Sequence, residues 1–144
     1  MPQTPHPPQF LPASPCPCGA LSPRQKALVY ADCCGRYVEH FDATPAPDAE
    51  ALMRSRYTAF VREDAGYLLA TWHATQRPTA LPFEPGVRWL GLQVRAYLPL
   101  SETHAEVEFV ARQRDGSGRA HRLHERSRFV REGGRWYYVD GDLL

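Results

Sequence analysis

The hydrophobic period of this 144-residue chain changes once, between His73 and Val87, and that change limits the fold more than any other feature. Over "DAEALMRSRYTAFVRED", residues 48–64, Ala49, Leu52, Met53, Tyr57 and Phe60 fall on one face at helical spacing. Asp48 stands where a helix cap belongs, and Glu50 suits the positive end of the helix dipole. "AGYLLATWH", residues 65–73, reads as a second, shorter helix after a break at Asp64–Gly66. From Val87 the period is two. Residues 87–100, 104–114, 120–132 and 135–142 read as strands, separated by turn signals at Ser101–Thr103, "DGSG" and "GG". Helices followed by an antiparallel meander make an α+β arrangement, with the helices covering one face of the sheet.

The turns predict a register. A two-residue loop at Gly133–Gly134 sets Phe129 opposite Tyr138 and Ser127 opposite Asp140. Centring the other two hairpins on Ser117 and on "SET" sets Phe109 opposite Glu125, Glu108 opposite Arg126, Glu106 opposite Arg128, Val94 opposite Phe109 and Arg95 opposite Glu108. One face then carries Leu92, Val94, Val107, Phe109, Leu123, Phe129 and Tyr138, and the other carries the row Arg95, Glu108, Arg126. A slip by one residue would destroy both patterns together.

The N-terminal third is built differently. Ten of the fourteen prolines lie within residues 1–47. Residues 1–15 read as a polyproline-II or disordered tail, and 37–47, containing "DATPAP", as a linker to the 48–144 domain. Between them, in 16–36, lie all four cysteines: Cys16-Pro-Cys18 and Cys33-Cys34. Two short-range thiol pairs suit tetrahedral zinc. Ser22-Pro23 is placed to start a short helix over "PRQKALVYA" that delivers the second pair. Two disulfides and a redox dithiol are the competing readings. A reducing compartment opposes the first, and the absence of Cys-x-x-Cys spacing opposes the second. The expected cofactor is therefore zinc, held by Cys16, Cys18, Cys33 and Cys34, and a chelator is expected to loosen residues 16–36 first.

The formal charge of +1 gives no global case for nucleic acid or an acidic membrane. No run approaches the ~20 apolar residues of a membrane span, and "MPQTPHPPQFLPASP" lacks the basic and apolar regions of a secretory signal. A cytoplasmic location is expected.

"CPCG" followed by "CCG" resembles the zinc motif at the C-terminus of the SecA translocation ATPase, here with a longer loop of fourteen residues, "GALSPRQKALVYAD". "EALMRSRYTAFV", "YLLATWH", "WLGLQV", "EVEFVAR" and "LHERSRFVREGGRWYYVDGD" together resemble the YchJ family of bacterial proteins. That resemblance implies a zinc knuckle followed by a nuclear-transport-factor-2-like domain, in which helices close a curved antiparallel sheet into a cone with a pocket. It implies no particular reaction. The SecA likeness implies a macromolecular partner for the knuckle.

Several polar residues fall where a core is expected. Arg56 lies in the middle of the apolar stripe of the 48–64 helix. A buried arginine must snorkel out or meet a carboxylate, and Glu125 and Asp140 on the inward strand positions are candidates. Arg56, Glu125, Ser127 and Asp140 are thus expected in the floor or wall of the cone, with Tyr57, Trp72, His73 and Tyr138 around them. An internal salt bridge that merely fixes helix against sheet is the plainer alternative. His73 is the candidate titrating group, unless it serves only the helix dipole.

The arginine-rich run "RAHRLHERSRFVREGGR" is partly neutralised by Glu106 and Glu108 across the strands, so nucleic acid is not expected to bind, although Arg119, Arg122, Arg131 and Arg135 remain. Trp89, Trp136, Tyr137 and Val139 are a candidate sheet-face homodimer contact. Two functions compete. One is a binding module whose knuckle docks on a macromolecule and whose cone holds a small ligand or peptide. The other is a hydratase- or isomerase-like acid–base enzyme using His73 with Glu125 or Asp140. The lack of a nucleophile elbow, phosphate loop or dinucleotide signature favours the first.

Overall fold

The structure is a computed structural model, described here for residues 12–144. Helix α1 spans Gly35–Val38, α2 Ala49–Arg62 and α3 Ala65–Ala70. Strands β1 (Arg88–Pro99), β2 (His104–Arg114), β3 (Ala120–Glu132) and β4 (Arg135–Leu143) follow. They form one antiparallel meander in the order β1-β2-β3-β4.

Local chemistry sets the helix ends. The Asp48 carboxylate accepts from Ala51 N at 2.7 Å to open α2, and Glu63 closes it in a left-handed conformation, φ 55°. Asp64 then accepts from Tyr67 N at 3.0 Å to start α3, so the break expected at Asp64–Gly66 is one residue of reversal and a new cap. After α3 the chain runs alongside the outer edge of β4. Tyr138 N donates to Thr71 O at 2.9 Å and His73 N to Tyr138 O at 2.7 Å, a parallel bridge centred on Trp72 and Tyr138. This draws the end of the second helical segment onto the sheet and closes the cone.

Most of the expected register is present. Phe129 faces Tyr138, Phe109 faces Glu125, Glu108 faces Arg126, Glu106 faces Arg128, and Val94 faces Phe109. The β3–β4 loop is the two-residue one, with Gly133 at φ 57° and Gly134 at φ 81°, the doubly left-handed turn that side chains disfavour. Two expected pairs are displaced by β-bulges, each inserting one residue and reversing parity beyond it. One leaves Arg95 unpaired, so that Ala96, not Arg95, faces Glu108. The other leaves Val139 out of the ladder, so that Gly141, not Asp140, faces Ser127, while Asp140 faces Arg128 on the outer side.

Three further expectations change. Residues 1–11 of the proline-rich tail lie outside the described residues, but residues 12–15 are not a tail. Pro12 O and Ser14 O accept from Ala31 N and Tyr30 N at 3.0 and 2.8 Å. The loop between the cysteine pairs is a hairpin rather than a helix, with bridges Pro15–Val29 and Leu21–Ala27. The Ser22 hydroxyl takes the turn's Arg24 and Lys26 amides at 3.3 Å each, competing locally with a helix as serine does. Only Tyr30–Asp32 forms a 3-10 turn. Residues 37–47 are not a free linker either, because Tyr37, Val38 and Ala46 are buried. One hydrophobic cluster contains the four cysteines, Leu52, Leu68, Val107 and Phe129. The knuckle is thus part of the core of the cone.

Candidate functional site

Two places concentrate chemistry. The first is the cysteine centre. Cys18 and Cys34 are 0% and 1% exposed, and the four sulfurs all lie within 4.8 Å of one another. Cys18 Sγ and Cys33 Sγ are 3.5 Å apart. A tetrahedron with ~2.3 Å metal–sulfur bonds separates its sulfurs by ~3.8 Å, so this donor set fits zinc(II). The sulfurs bias one another. Cys33 and Cys34 are held well above the usual thiol range, first by the neighbouring Cys16 sulfur, while Cys16 is drawn down, first by Cys18. Close packed thiols cannot all ionise without a cation among them.

Helix α2 backs this centre. Thr58 Oγ1 lies 3.7 Å from Cys16 Sγ, and Arg54 donates through Nη1 to Cys18 O at 3.1 Å while Glu50 holds its Nε at 3.1 Å. Sequence reading missed both residues. Thr58 lies on the stripe's margin, and Arg54 falls off it as any solvated arginine would. On the other flank Arg62 reaches back to Tyr30 and Glu39, and its guanidinium lies over the Tyr30 ring. The centre is therefore a staple between hairpin and helix.

The second place is a cavity of about 210 Å³ between α2 and the concave face of the sheet. Its walls are Phe60, Trp89, Phe109, Leu123 and Phe129, and the polar groups on it are Arg56, Trp72, Glu125, Ser127 and Tyr138. Tyr57 also lines it, edge-on to Trp89 with ring centres 5.6 Å apart. Burial pushes the Tyr57 phenol up to about 12. Six of the eight expected pocket residues are thus brought together: Arg56, Tyr57, Trp72, Glu125, Ser127 and Tyr138.

Arg56 points indoors and is 5% exposed. Its expected carboxylate partner is a correction, because among the described residues it makes no ion pair. Nη1 donates to Leu68 O and to Thr71 Oγ1, both at 2.7 Å, which also places the cation at the C-terminal end of α3. Its guanidinium carbon stands 4.7 Å from the Tyr138 ring centre and 5.1 Å from that of Trp72. Burial lowers its pKa to about 10, which leaves it charged at neutral pH. Glu125 Oε1 instead accepts from Ser127 Oγ at 2.8 Å and from the Tyr138 hydroxyl at 3.0 Å. Burial, followed by the charge of Glu125, holds the Tyr138 phenol above its usual range.

His73 and Asp140 are not in the cavity. His73 is held outside by Glu132 (Nε2 to Oε1, 2.9 Å) and Thr75 (Nδ1 to Oγ1, 2.7 Å), because the Trp72–Tyr138 bridge turns alternate residues to opposite sides. The Val139 bulge sends Asp140 outward, where its Oδ1 accepts from Arg128 Nε at 2.6 Å. The same bulge brings Gly141 under Glu125, so closely that a Cβ there would overlap the carboxylate. Nothing in the composition marks Gly141 out, since its role depends on that one inserted residue. Trp89, expected on the outer sheet face, is turned inward by a second β1 bulge at Leu90, and Trp136 packs against the core. The outer face carries ion pairs, Glu108 with Arg126 and Arg128 with Asp140 and Asp142, and a hydrogen bond between Glu108 Oε2 and His124 Nε2 at 3.0 Å. Arg135, from the residual basic patch, donates to Asp42 O at 3.0 Å. No helix among the described residues is long and apolar enough to cross a membrane.

The comparisons with known proteins agree with this architecture. Residues 48–141 match the family described as YchJ, middle NTF2-like domain. A UPF0225 protein of Polaromonas sp. is 65% identical over 136 residues, covering 94% of this chain and 98% of that protein. A second, from Polaromonas naphthalenivorans, is 59% identical and covers 90% and 97%. Among solved structures, a sec-c motif containing protein from Psychrobacter arcticus superposes with a TM-score of 0.74 at 31% identity, covering 92% of this chain and 84% of that one. A SEC-C motif containing protein from Rhodopseudomonas palustris does so with a TM-score of 0.74 at 33% identity, covering 90% and 98%.

Proposed function

The chain belongs to the YchJ (UPF0225) family of NTF2-like proteins with a SEC-C motif, and from that premise we propose that it is a binding protein: a zinc-stapled cone whose cavity holds a small, mostly apolar ligand. The observation that carries the reading is the cavity itself. It is of the size of engineered apolar cavities that bind benzene (~150 Å³), yet it opens beside polar side chains, Arg56 and Glu125 among them, rather than being sealed by packing. A core that served stability alone would close such a space, since voids forfeit packing contacts.

The acid–base alternative draws no support from the placement of its three residues. His73, Glu125 and Asp140 lie in three different environments, and only Glu125 faces the cavity. Zinc at the four cysteines fits the cytoplasmic setting that reduced thiols need, and its role in this reading is structural. Docking of a macromolecular partner on the knuckle is confined by burial of the cysteines to the hairpin's outer edge, where Leu21 is 52% exposed.

The test uses the cavity's own tryptophans. Trp72 and Trp89, two of the three in the chain, line it, so toluene titrated into the full chain should change tryptophan emission saturably and raise the melting temperature. Unchanged emission and melting with toluene at saturation, and likewise with small aromatic acids in excess, would remove the reading.

A further inference from the structure

Taking the cavity as a binding site, as proposed above, we propose that its ligand is a small apolar acid with a hydroxyl or amino donor on the carbon beside the carboxylate. The first observation is a buried charge with no carboxylate in contact, Glu125 acting on it only across the cavity. Arg56 is buried among rings, and among the described residues nothing forms an ion pair with it. Its hydrogen bonds use Nη1 alone, to Leu68 O and Thr71 Oγ1. Nε and Nη2 have no partner among the described residues. These two N–H groups lie side by side, and together they form the guanidinium edge that grips a carboxylate through two parallel bonds. The anchored edge and the flanking Trp72 and Tyr138 rings hold the free edge in place before any ligand arrives.

The second observation is independent of the first. Trp72 Nε1, in a ring that lines the same cavity, is buried and has no hydrogen-bond partner among the described residues. An indole N–H can only donate, and a buried donor left unmade is costly, so it too asks for an acceptor oxygen. Two unpaired donors on Arg56 and a third on a ring of the same cavity wall thus await acceptors.

The third is Glu125. Ser127 and Tyr138 saturate its Oε1, while Oε2 has no partner among the described residues. An incoming carboxylate alone would meet Arg56 favourably and Glu125 as a like charge. A ligand hydroxyl or ammonium next to that carboxylate resolves the conflict by donating to Oε2. The remaining walls, Phe60, Trp89, Phe109, Leu123 and Phe129, ask for an apolar body, and about 210 Å³ limits it to roughly one ring or a short branched chain.

Calorimetric titration of the full chain with four probes tests this: toluene, benzoate, mandelate and phenylglycine. Mandelate and phenylglycine should bind at least about tenfold more tightly than benzoate or toluene, the range expected for hydrogen bonds to charged groups. Arg56→Met should abolish that margin, and Glu125→Gln should bring mandelate down to benzoate. Trp72→Phe, which keeps an aromatic face but trims the indole and removes its N–H, should weaken mandelate several-fold more than it weakens toluene; with Glu125→Gln it preserves the test if Arg56→Met fails to fold. Benzoate or toluene binding as tightly as mandelate overturns the proposal, as does a margin that survives all three substitutions. Toluene binding without any margin leaves the cavity reading intact while this inference falls. Failure of all four probes removes both.

Discussion

Gly141→Ala is the sharpest perturbation the geometry offers. A methyl group at that position would overlap Glu125 Oε1 and come within 2.7 Å of Cδ and 2.8 Å of Cγ. The Glu125 side chain must therefore leave its seat, breaking its bonds from Ser127 (2.8 Å) and Tyr138 (3.0 Å). Hydrogen bonds to a charged group contribute ~1.5–3 kcal/mol each, and rehydration of the displaced carboxylate through the open cavity returns part of that. The expected cost is roughly 2–4 kcal/mol, or a melting temperature lower by about 6–15 °C in a domain of this size. Thermal unfolding of four proteins checks it: parent, Gly141→Ala, Glu125→Ala and the double variant. With no carboxylate to displace, the alanine should cost almost nothing in the Glu125→Ala background, so nearly the whole effect should appear as coupling. Melting of Gly141→Ala within about 1 °C of the parent, or strictly additive costs, would refute the close approach and with it the Val139 bulge that produces it.

Purified protein should carry about one zinc per chain, by the four-thiolate fit. Because the cysteines share a cluster with Leu52 and Leu68, a chelator should lower the melting of the whole chain in one transition rather than loosen residues 16–36 first; a metal-free protein that melts unchanged would end this expectation. Acid should destabilise the fold. Glu39 is held below the usual carboxylate range by Arg62 first and then Tyr30, Glu108 by His124 and then Arg126, and Asp142 by Arg128. A depressed carboxyl stabilises above its unfolded value, and that contribution is lost as the pH falls through the folded one. Melting temperature should therefore hold above about pH 5 and decline below about pH 4, less steeply in Glu39→Gln; a flat profile down to pH 2 would contradict the pairing. Asp140→Asn should leave mandelate affinity within about twofold of the parent, since its carboxylate faces outward against Arg128; a tenfold loss would place it back in the cavity.

What the chain's order of residues determined is whatever depends on period and local chemistry. Helical spacing placed Arg56 on the buried face of α2, alternation placed Phe109, Glu125 and Phe129 on one sheet face, and the double glycine set the Phe129–Tyr138 pair. The four cysteines drew together as two short pairs must if they share one ion. Tertiary structure alone decided everything that turns on a single inserted residue or a distant contact. Bulges at Leu90, Arg95 and Val139 leave no mark in a two-residue period, yet they turned Trp89 inward, sent Asp140 out and brought Gly141 beneath Glu125. The bridge from Trp72 to Tyr138 separated His73 from the cavity, and packing of the hairpin on α2 made the cysteine segment core instead of appendage. Periodicity records which side of an element is dry; it does not record where the ladder slips or which remote carbonyl reaches an arginine first, because those choices are made by the packed whole.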